Sequence, residues 1–270
     1  MCNDKKFNRS DIEIHYEILG QGSPLLCISG FGCSSYNFEF IKDELSKDHT
    51  LILVDNRGMG KSPSVIHDYL IDDLALDGIE LMSFLGFSKY SVMGISMGGF
   101  VAQKVALYDK SKVLALVLAC TTSGGRDFPA LNKLDEESIR RSFSLDTRTY
   151  NLLVSQATVH PNIIKNRPDI FQDILDLRIK NMPKLDQVLL QQRAVDKFLE
   201  ENVDLEEITC PTLVITGDED RFVSPESANV LGKKIPNSTV KFIKESDHHF
   251  FLEKPIETAK EVSQYLGLQL

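Results

Sequence analysis

Short apolar runs bounded by turn-forming residues recur along the chain at 12–19, 25–28, 51–54, 90–95, 113–119, 212–216 and 239–243. Several lack any polar alternation, which predicts strands buried on both faces. Between them, apolar positions return every three or four residues: Ile71, Leu74, Gly78, Met82 and Leu85 in one segment, Val101, Val105 and Tyr108 in another. That period predicts amphipathic helices. Strands alternating with helices predict an α/β fold with a mostly parallel, twisted sheet, right-handed crossovers and flanking helices. The first strand is expected to pair antiparallel at the edge.

The pattern changes between residues 126 and 216, which contain none of the 16 glycines. Phe171, Ile174 and Leu175 form one helical stripe there, and Leu185, Val188, Leu189, Gln192, Val195 and Leu199 another. Residues 126–203 hold 12 acidic and 12 basic side chains, so the net charge of −9 resides in the rest of the chain. Nearly 80 residues exceed what a crossover requires. Residues 124–203 are therefore read as a helical cap inserted into an α/β core of residues 1–123 and 204–270. Phe128, Leu131, Phe143, Leu152 and Phe171 in this insertion either line an apolar pocket or pack as ordinary core.

Composition narrows the field of partners. The chain has 270 residues, 42% of them hydrophobic, with 39 acidic against 30 basic side chains. Without a Lys/Arg block it has nothing to neutralise a row of phosphates or an anionic bilayer, so nucleic acid is not expected as a partner. No apolar run approaches the roughly 20 residues of a spanning helix, and the polar start MCNDKKFNRSD predicts a cytoplasmic protein. Five cysteines, Cys2, Cys27, Cys33, Cys120 and Cys210, form no CxxC pair and read mostly as buried thiols in strands. Of the histidines only His248 and His249 lie close together, and adjacent ligands rarely chelate one ion, so neither metal nor cofactor is expected. A homodimer remains open.

Gly94-Ile95-Ser96-Met97-Gly98 follows a buried-strand pattern and precedes a helical one. A G-x-S-x-G in that setting makes a sharp turn that exposes the serine hydroxyl at a helix N-terminus. Serine needs a base to take its proton, and the base needs an orienting group. Of the six histidines, only His248 and His249 follow a strand on its carboxyl side. In a parallel sheet that edge also carries Ser96 and the loop Gly217-Asp218-Glu219-Asp220, which offers two aspartates.

These residues, taken with Ser29-Gly30-Phe31-Gly32, Asp55-Asn56-Arg57-Gly58-Met59-Gly60-Lys61-Ser62, Asp247-His248 and Glu253-x-Pro255, resemble the α/β-hydrolase superfamily across essentially the whole chain. The chain order Ser, Asp, His fits that family. The resemblance implies a carboxylesterase-like serine hydrolase with a helical cap, acting on a small-molecule acyl substrate through an acyl-enzyme. It implies Ser96 as nucleophile, His248 as general base and then acid, and Asp220, favoured over Asp218 by the G-x-x-D spacing, as orienting carboxylate. It also implies the backbone N–H groups of Phe31 and Met97 as the oxyanion hole. Two positions depart from the family pattern: Ser29 stands where histidine is usual, and Asp247 where glycine usually precedes the catalytic histidine. The segment from Asp55 to Ser62 reads as structural. Two rival readings accompany this one. Asp220-Arg221-Phe222-Val223 looks like carbon–carbon bond hydrolases of ring-cleavage products, although Ile95 stands where those enzymes usually have Asn. A ligand receptor of the same fold with little turnover is the rival from another class.

Overall fold

The computed structural model describes residues 5–10, 12–129, 131 and 134–269. The chain enters through β1 (Lys5–Arg9), β2 (Ile12–Leu19) and β3 (Ser23–Ile28), then α1 (Lys42–Leu45), β4 (His49–Val54) and α2 (Ile71–Phe84). It continues through β5 (Tyr90–Ile95), α3 (Met97–Tyr108) and β6 (Val113–Ala119). Five helices follow before the next strand: α4 (Glu136–Phe143), α5 (Thr147–Thr158), α6 (Pro161–Asn166), α7 (Pro168–Lys180) and α8 (Leu185–Glu200). The chain closes with β7 (Thr212–Gly217), α9 (Glu226–Lys234), β8 (Ser238–Ile243), α10 (Phe250–Glu253) and α11 (Pro255–Gly267).

Among the described residues the strands form one eight-stranded sheet in the order β1-β2-β4-β3-β5-β6-β7-β8. From β4 to β8 every pairing is parallel. The strand expected at the edge, β2, is antiparallel to β4 but is itself covered by β1, also antiparallel. The sequence pattern missed β1 because Lys-Lys-Phe-Asn-Arg carries a single buried side chain, Phe7.

Period-two alternation sorts the apolar strand residues to opposite faces of the sheet. Leu26, Ile28, Ile52, Val92 and Leu116 join α2 and α3 in one core, whereas Leu25, Cys27, Leu51, Met93 and Val117 join α1 and α11 in the other. β5 is buried along its whole length, so a continuous apolar run suits it. The inserted helices carry explicit start signals. Asp135 and Asp146 accept hydrogen bonds from the N–H groups of Ser138 (2.7 Å) and Thr149 (3.0 Å), and Pro161 and Pro168 open α6 and α7. α8 is anchored to the sheet's own helices: Phe198 stacks on Phe100 of α3 with ring centroids 4.5 Å apart.

The Asp55–Ser62 segment closes the end of β4. Asp55 accepts from His15 Nδ1 (2.9 Å), Lys61 N (2.9 Å) and Ser35 N (2.8 Å). Burial alone would raise this carboxyl, but those hydrogen bonds outweigh it and hold Asp55 below the usual carboxylate range. Cys27 and Cys120 are buried at β3 and just after β6, Cys33 is buried in a loop, and Cys210 is half-buried; Cys2 lies outside the described residues. Among the described residues no helix is long and apolar enough to cross a membrane.

Candidate active site

The parallel arrangement delivers the carboxyl ends of β3, β5, β7 and β8 to one edge of the sheet. Ser96 directly follows β5 with φ 54° and ψ −120°, a left-handed conformation that costs a non-glycine residue about 1–3 kcal/mol. The surrounding turn enforces it. A Cβ at Gly94 would lie 2.1 Å from the carbonyl oxygen of Gly98, and one at Gly98 would lie 2.2 Å from that of Ile28. Only glycine at both positions lets α3 start this close to β3 and β5. The turn is pinned further by Ser96 N–H donating to Ala119 O (2.8 Å) and by Thr121 Oγ1 donating to Ser96 O (2.7 Å).

His248 lies five residues beyond β8, and its ring bridges two partners. Its Nε2 is 3.1 Å from Ser96 Oγ, and its Nδ1 is 2.9 Å from Asp220 Oδ2. Asp220 is buried, and its other oxygen accepts from the N–H groups of Phe222 (2.9 Å) and Val223 (2.8 Å). A carboxylate fixed by two main-chain donors cannot rotate away from the imidazole. The Phe222 ring packs on His248 with centroids 4.9 Å apart. Asp218 points elsewhere, 3.3 Å from Lys244 Nζ.

The remaining histidines occupy other places. His15 pairs with Asp55, His49 opens β4, and His160 caps α6 by accepting from Asn162 N. His249 turns away from Ser96. Its N–H donates to Thr158 O (3.0 Å) and its Nδ1 lies 3.1 Å from Thr158 Oγ1. Burial holds its pKa well below the ordinary imidazole range, and the nearby charge of Arg178 and the neighbouring His248 add to that shift.

Gly30 N–H donates to Asn37 Oδ1 (3.0 Å), which fixes the loop after β3. A Cβ at Gly30 would stand 3.2 Å from Ser96 Cβ, so that loop runs directly beside the serine. The N–H groups of Phe31 and Met97 make no hydrogen bond among the described residues. An apolar pocket of about 60 Å³ opens at Ser96, walled by Phe31, Phe100, Leu131, Leu134, Val195 and Leu199. Of the five insertion residues that the sequence offered for such a pocket, only Leu131 lines it. Phe143 and Phe171 pack into core clusters instead.

Sequence reasoning also missed a set of groups that tie the inserted helices to the histidine loop. Arg221 donates to Asp247 through its main-chain N–H (2.8 Å) and its guanidinium, and its Nη2 reaches the carbonyl oxygens of Gln156 (3.1 Å) and Val159 (2.8 Å) at the end of α5. Asp247 in turn accepts from His248 N–H at 2.7 Å. Glu253 accepts from the N–H groups of His160 (3.0 Å) and Asp247 (3.2 Å). Aspartate at position 247, where the family usually has glycine, was the available signal.

Burial raises Glu253 to about 7, with the Asp247 charge contributing in the same direction. The native state therefore binds a proton between pH 4.5 and 7 that the unfolded chain has released, and stability must fall as pH rises through that window. The expected contribution is on the order of 3 kcal/mol. Glu253→Gln should flatten this part of the stability–pH profile in denaturant unfolding. An unchanged slope would assign the effect to other groups.

Residues 23–255 match the family model described as alpha/beta hydrolase fold. The chain belongs to the α/β-hydrolase family. It is a hydrolase, and the family supports ester hydrolysis. It is 29% identical over 289 aligned positions to Lipase 1 of Psychrobacter immobilis, covering 97% of this chain and 86% of that one. It is 27% identical to a 2-hydroxy-6-oxononadienedioate/2-hydroxy-6-oxononatrienedioate hydrolase of Pseudomonas putida, covering 88% and 86%. The enol-lactonase of Burkholderia xenovorans LB400 superposes with a TM-score of 0.85 at 18% identity, over 97% of this chain and all of that one (100%).

Proposed function

We propose that this α/β hydrolase cleaves a carboxylic ester or a related acyl compound through an acyl-enzyme formed on Ser96. The observation that carries this reading is the single imidazole of His248 lying 3.1 Å from Ser96 Oγ and 2.9 Å from Asp220 Oδ2. In this reading His248 takes the serine proton as Oγ attacks the substrate carbonyl, and then passes it to the departing alcohol. Water repeats the sequence in reverse to release the acid. Asp220 holds the Nδ1 proton and stabilises the imidazolium. The developing oxyanion is met by the N–H groups of Met97, at the first position of α3, and of Phe31. No step needs a metal or cofactor.

The helices α4–α8 act in this proposal as the cap that shapes the acyl pocket, over a core formed by residues 1–123 and 204–270. Support comes from α8, which brings Val195 and Leu199 to the pocket wall. A cytoplasmic setting is part of the proposal, since the buried, unpaired thiols of Cys27, Cys33 and Cys120 suit a reducing compartment.

A second reading, carbon–carbon bond hydrolysis, is favoured by the Pseudomonas putida relative and by Arg221-Phe222-Val223, whose Phe222 packs on His248. Against it stands Ile95 beside the serine. The deciding experiment assays p-nitrophenyl esters of increasing chain length beside a ring-cleavage dienoate. Multiple turnovers on esters with a markedly lower kcat/KM on the dienoate are expected. The reverse preference would replace the ester reading, and a single equivalent of product would leave a binding protein.

A further inference from the structure

Two glutamines one turn apart on the inserted helix α8, Gln187 and Gln191, are fully enclosed, 1% and 0% exposed. Gln187 uses both ends of its amide on one residue. Its Oε1 accepts from Val65 N–H (2.9 Å) and its Nε2 donates to Val65 O (3.0 Å), which fastens the helix to the loop before α2. Gln191 reaches a different loop: its Oε1 accepts from Gly32 N–H at 2.6 Å. A main-chain N–H needs an oxygen opposite it, so this bond decides which way round the amide lies. The Gln191 Nε2, buried near the Tyr69 hydroxyl, has no hydrogen-bond partner of good geometry among the described residues. The oxygen end, held on Gly32, is therefore the end that fixes something.

What it fixes is the peptide next to Phe31. Gly30 O accepts from Cys33 N–H at 3.2 Å, closing a turn with Phe31 and Gly32 at its centre. Gly32 has φ 65° and Phe31 is not left-handed, the pattern of a type II turn. Glycine permits this turn, but it equally permits the alternative in which the central peptide is flipped and φ at position 32 is negative. Sterics do not choose between them, because a Cβ at Gly32 would meet nothing closer than 3.8 Å. The hydrogen bond to Gln191 does choose. Phe31 is thus held from both sides: Gly30 before it donates to Asn37 Oδ1 (3.0 Å), and Gly32 after it donates to Gln191.

We propose that Gln191 is a positioning residue for the oxyanion hole, locking the turn at 30–33 in the form that aims the Phe31 N–H at the reacting carbonyl oxygen. The inference rests on the ester reading and deepens it, since the same helix that walls the pocket with Gln192, Val195 and Leu199 would also set one of its two donors. Such a donor acts mainly on the charge that develops during reaction, and its value lies in being aligned beforehand. Loss of the lock should therefore appear in kcat more than in KM.

The test is Gln191→Met, which keeps the length of the side chain and removes its acceptor, assayed on p-nitrophenyl butyrate. We expect kcat to fall about 10- to 100-fold, less than the roughly 10²–10³ lost with a whole donor, and KM to stay within about threefold. A butyl trifluoromethyl ketone supplies the second readout. Ser96 Oγ adds to its carbonyl carbon, the serine proton passes to His248, and the carbonyl oxygen becomes an alkoxide in the oxyanion hole, so its inhibition constant should rise by the factor that kcat/KM falls. Gln187→Met is the control. It loosens the same helix from another loop, and should lower the unfolding temperature while leaving kcat and the inhibition constant near wild type. Near-normal kcat in folded Gln191→Met, a loss confined to KM, an unchanged inhibition constant, or an equal loss of kcat in Gln187→Met would each overturn the role. Should Gln191→Met not fold, Gln191→Asn, whose carbonyl falls one methylene short of Gly32, decides by the same readouts. Wild-type ester turnover and Ser96 labelling beside a normal Gln191→Met would defeat this inference alone. Absence of both in the wild type would defeat the ester reading, and this inference with it.

Discussion

Ser96→Ala is expected to lower turnover by a factor on the order of 10⁴ to 10⁶, with a circular dichroism spectrum like that of the wild type. Alanine keeps the Cβ, so the left-handed backbone at position 96 is no more strained than with serine, and the glycines that relieve the turn are untouched. What disappears is the hydroxyl 3.1 Å from His248 Nε2. The same group should make Ser96 the one serine among 23 to react with a fluorophosphonate, because attack on phosphorus needs both an adjacent base and donors for the oxygen that gains charge. Mass mapping of the adduct checks this directly. Label on any other serine of the folded protein, or substantial turnover in Ser96→Ala, would end the assignment of the nucleophile.

Why so much of this site could be read from the chain, and some of it not, has a physical basis. Parallel strands are buried on both faces, so β3, β5, β6 and β7 appear as continuous apolar runs, and the residues after them must share one edge. Ser96 and Asp220 each follow such a strand and His248 follows the neighbouring edge strand β8, so their meeting is a consequence of topology more than of local sequence. β1 escaped because an edge strand needs only one buried side chain, Phe7, to hold its place. The pocket wall escaped for another reason. Which side of α8 faces Ser96 depends on how the insertion crosses the sheet, and Val195 and Leu199 carry no mark that separates them from core residues such as Phe198.

The adjacent histidines give the sharpest contrast between two substitutions. His248→Ala removes the group that receives the serine proton, so kcat should fall by about 10⁴ or more while KM changes little, since that proton moves only on the way to the transition state. The loss has a structural side as well. Asp220 would remain buried with the Phe222 and Val223 N–H groups and a long 3.4 Å hydrogen bond from Thr216 Oγ1, and a buried carboxylate deprived of its imidazole destabilises the loop that carries it. His249→Ala acts elsewhere. It deletes the contact with Thr158 Oγ1, whose hydroxyl keeps its bond to Val154 O, and it opens space beside Phe251, a cost of about 1–3 kcal/mol in stability. Its effect on turnover should be smaller by at least two orders of magnitude, because the His249 ring makes no hydrogen bond to Ser96 or Asp220. Steady-state kinetics and thermal unfolding of the two variants separate these effects. If His249→Ala abolished acyl transfer in well-folded protein while His248→Ala kept near-normal turnover, the base would be the wrong histidine, and the path of the loop between β8 and α10 would have to be redrawn around it.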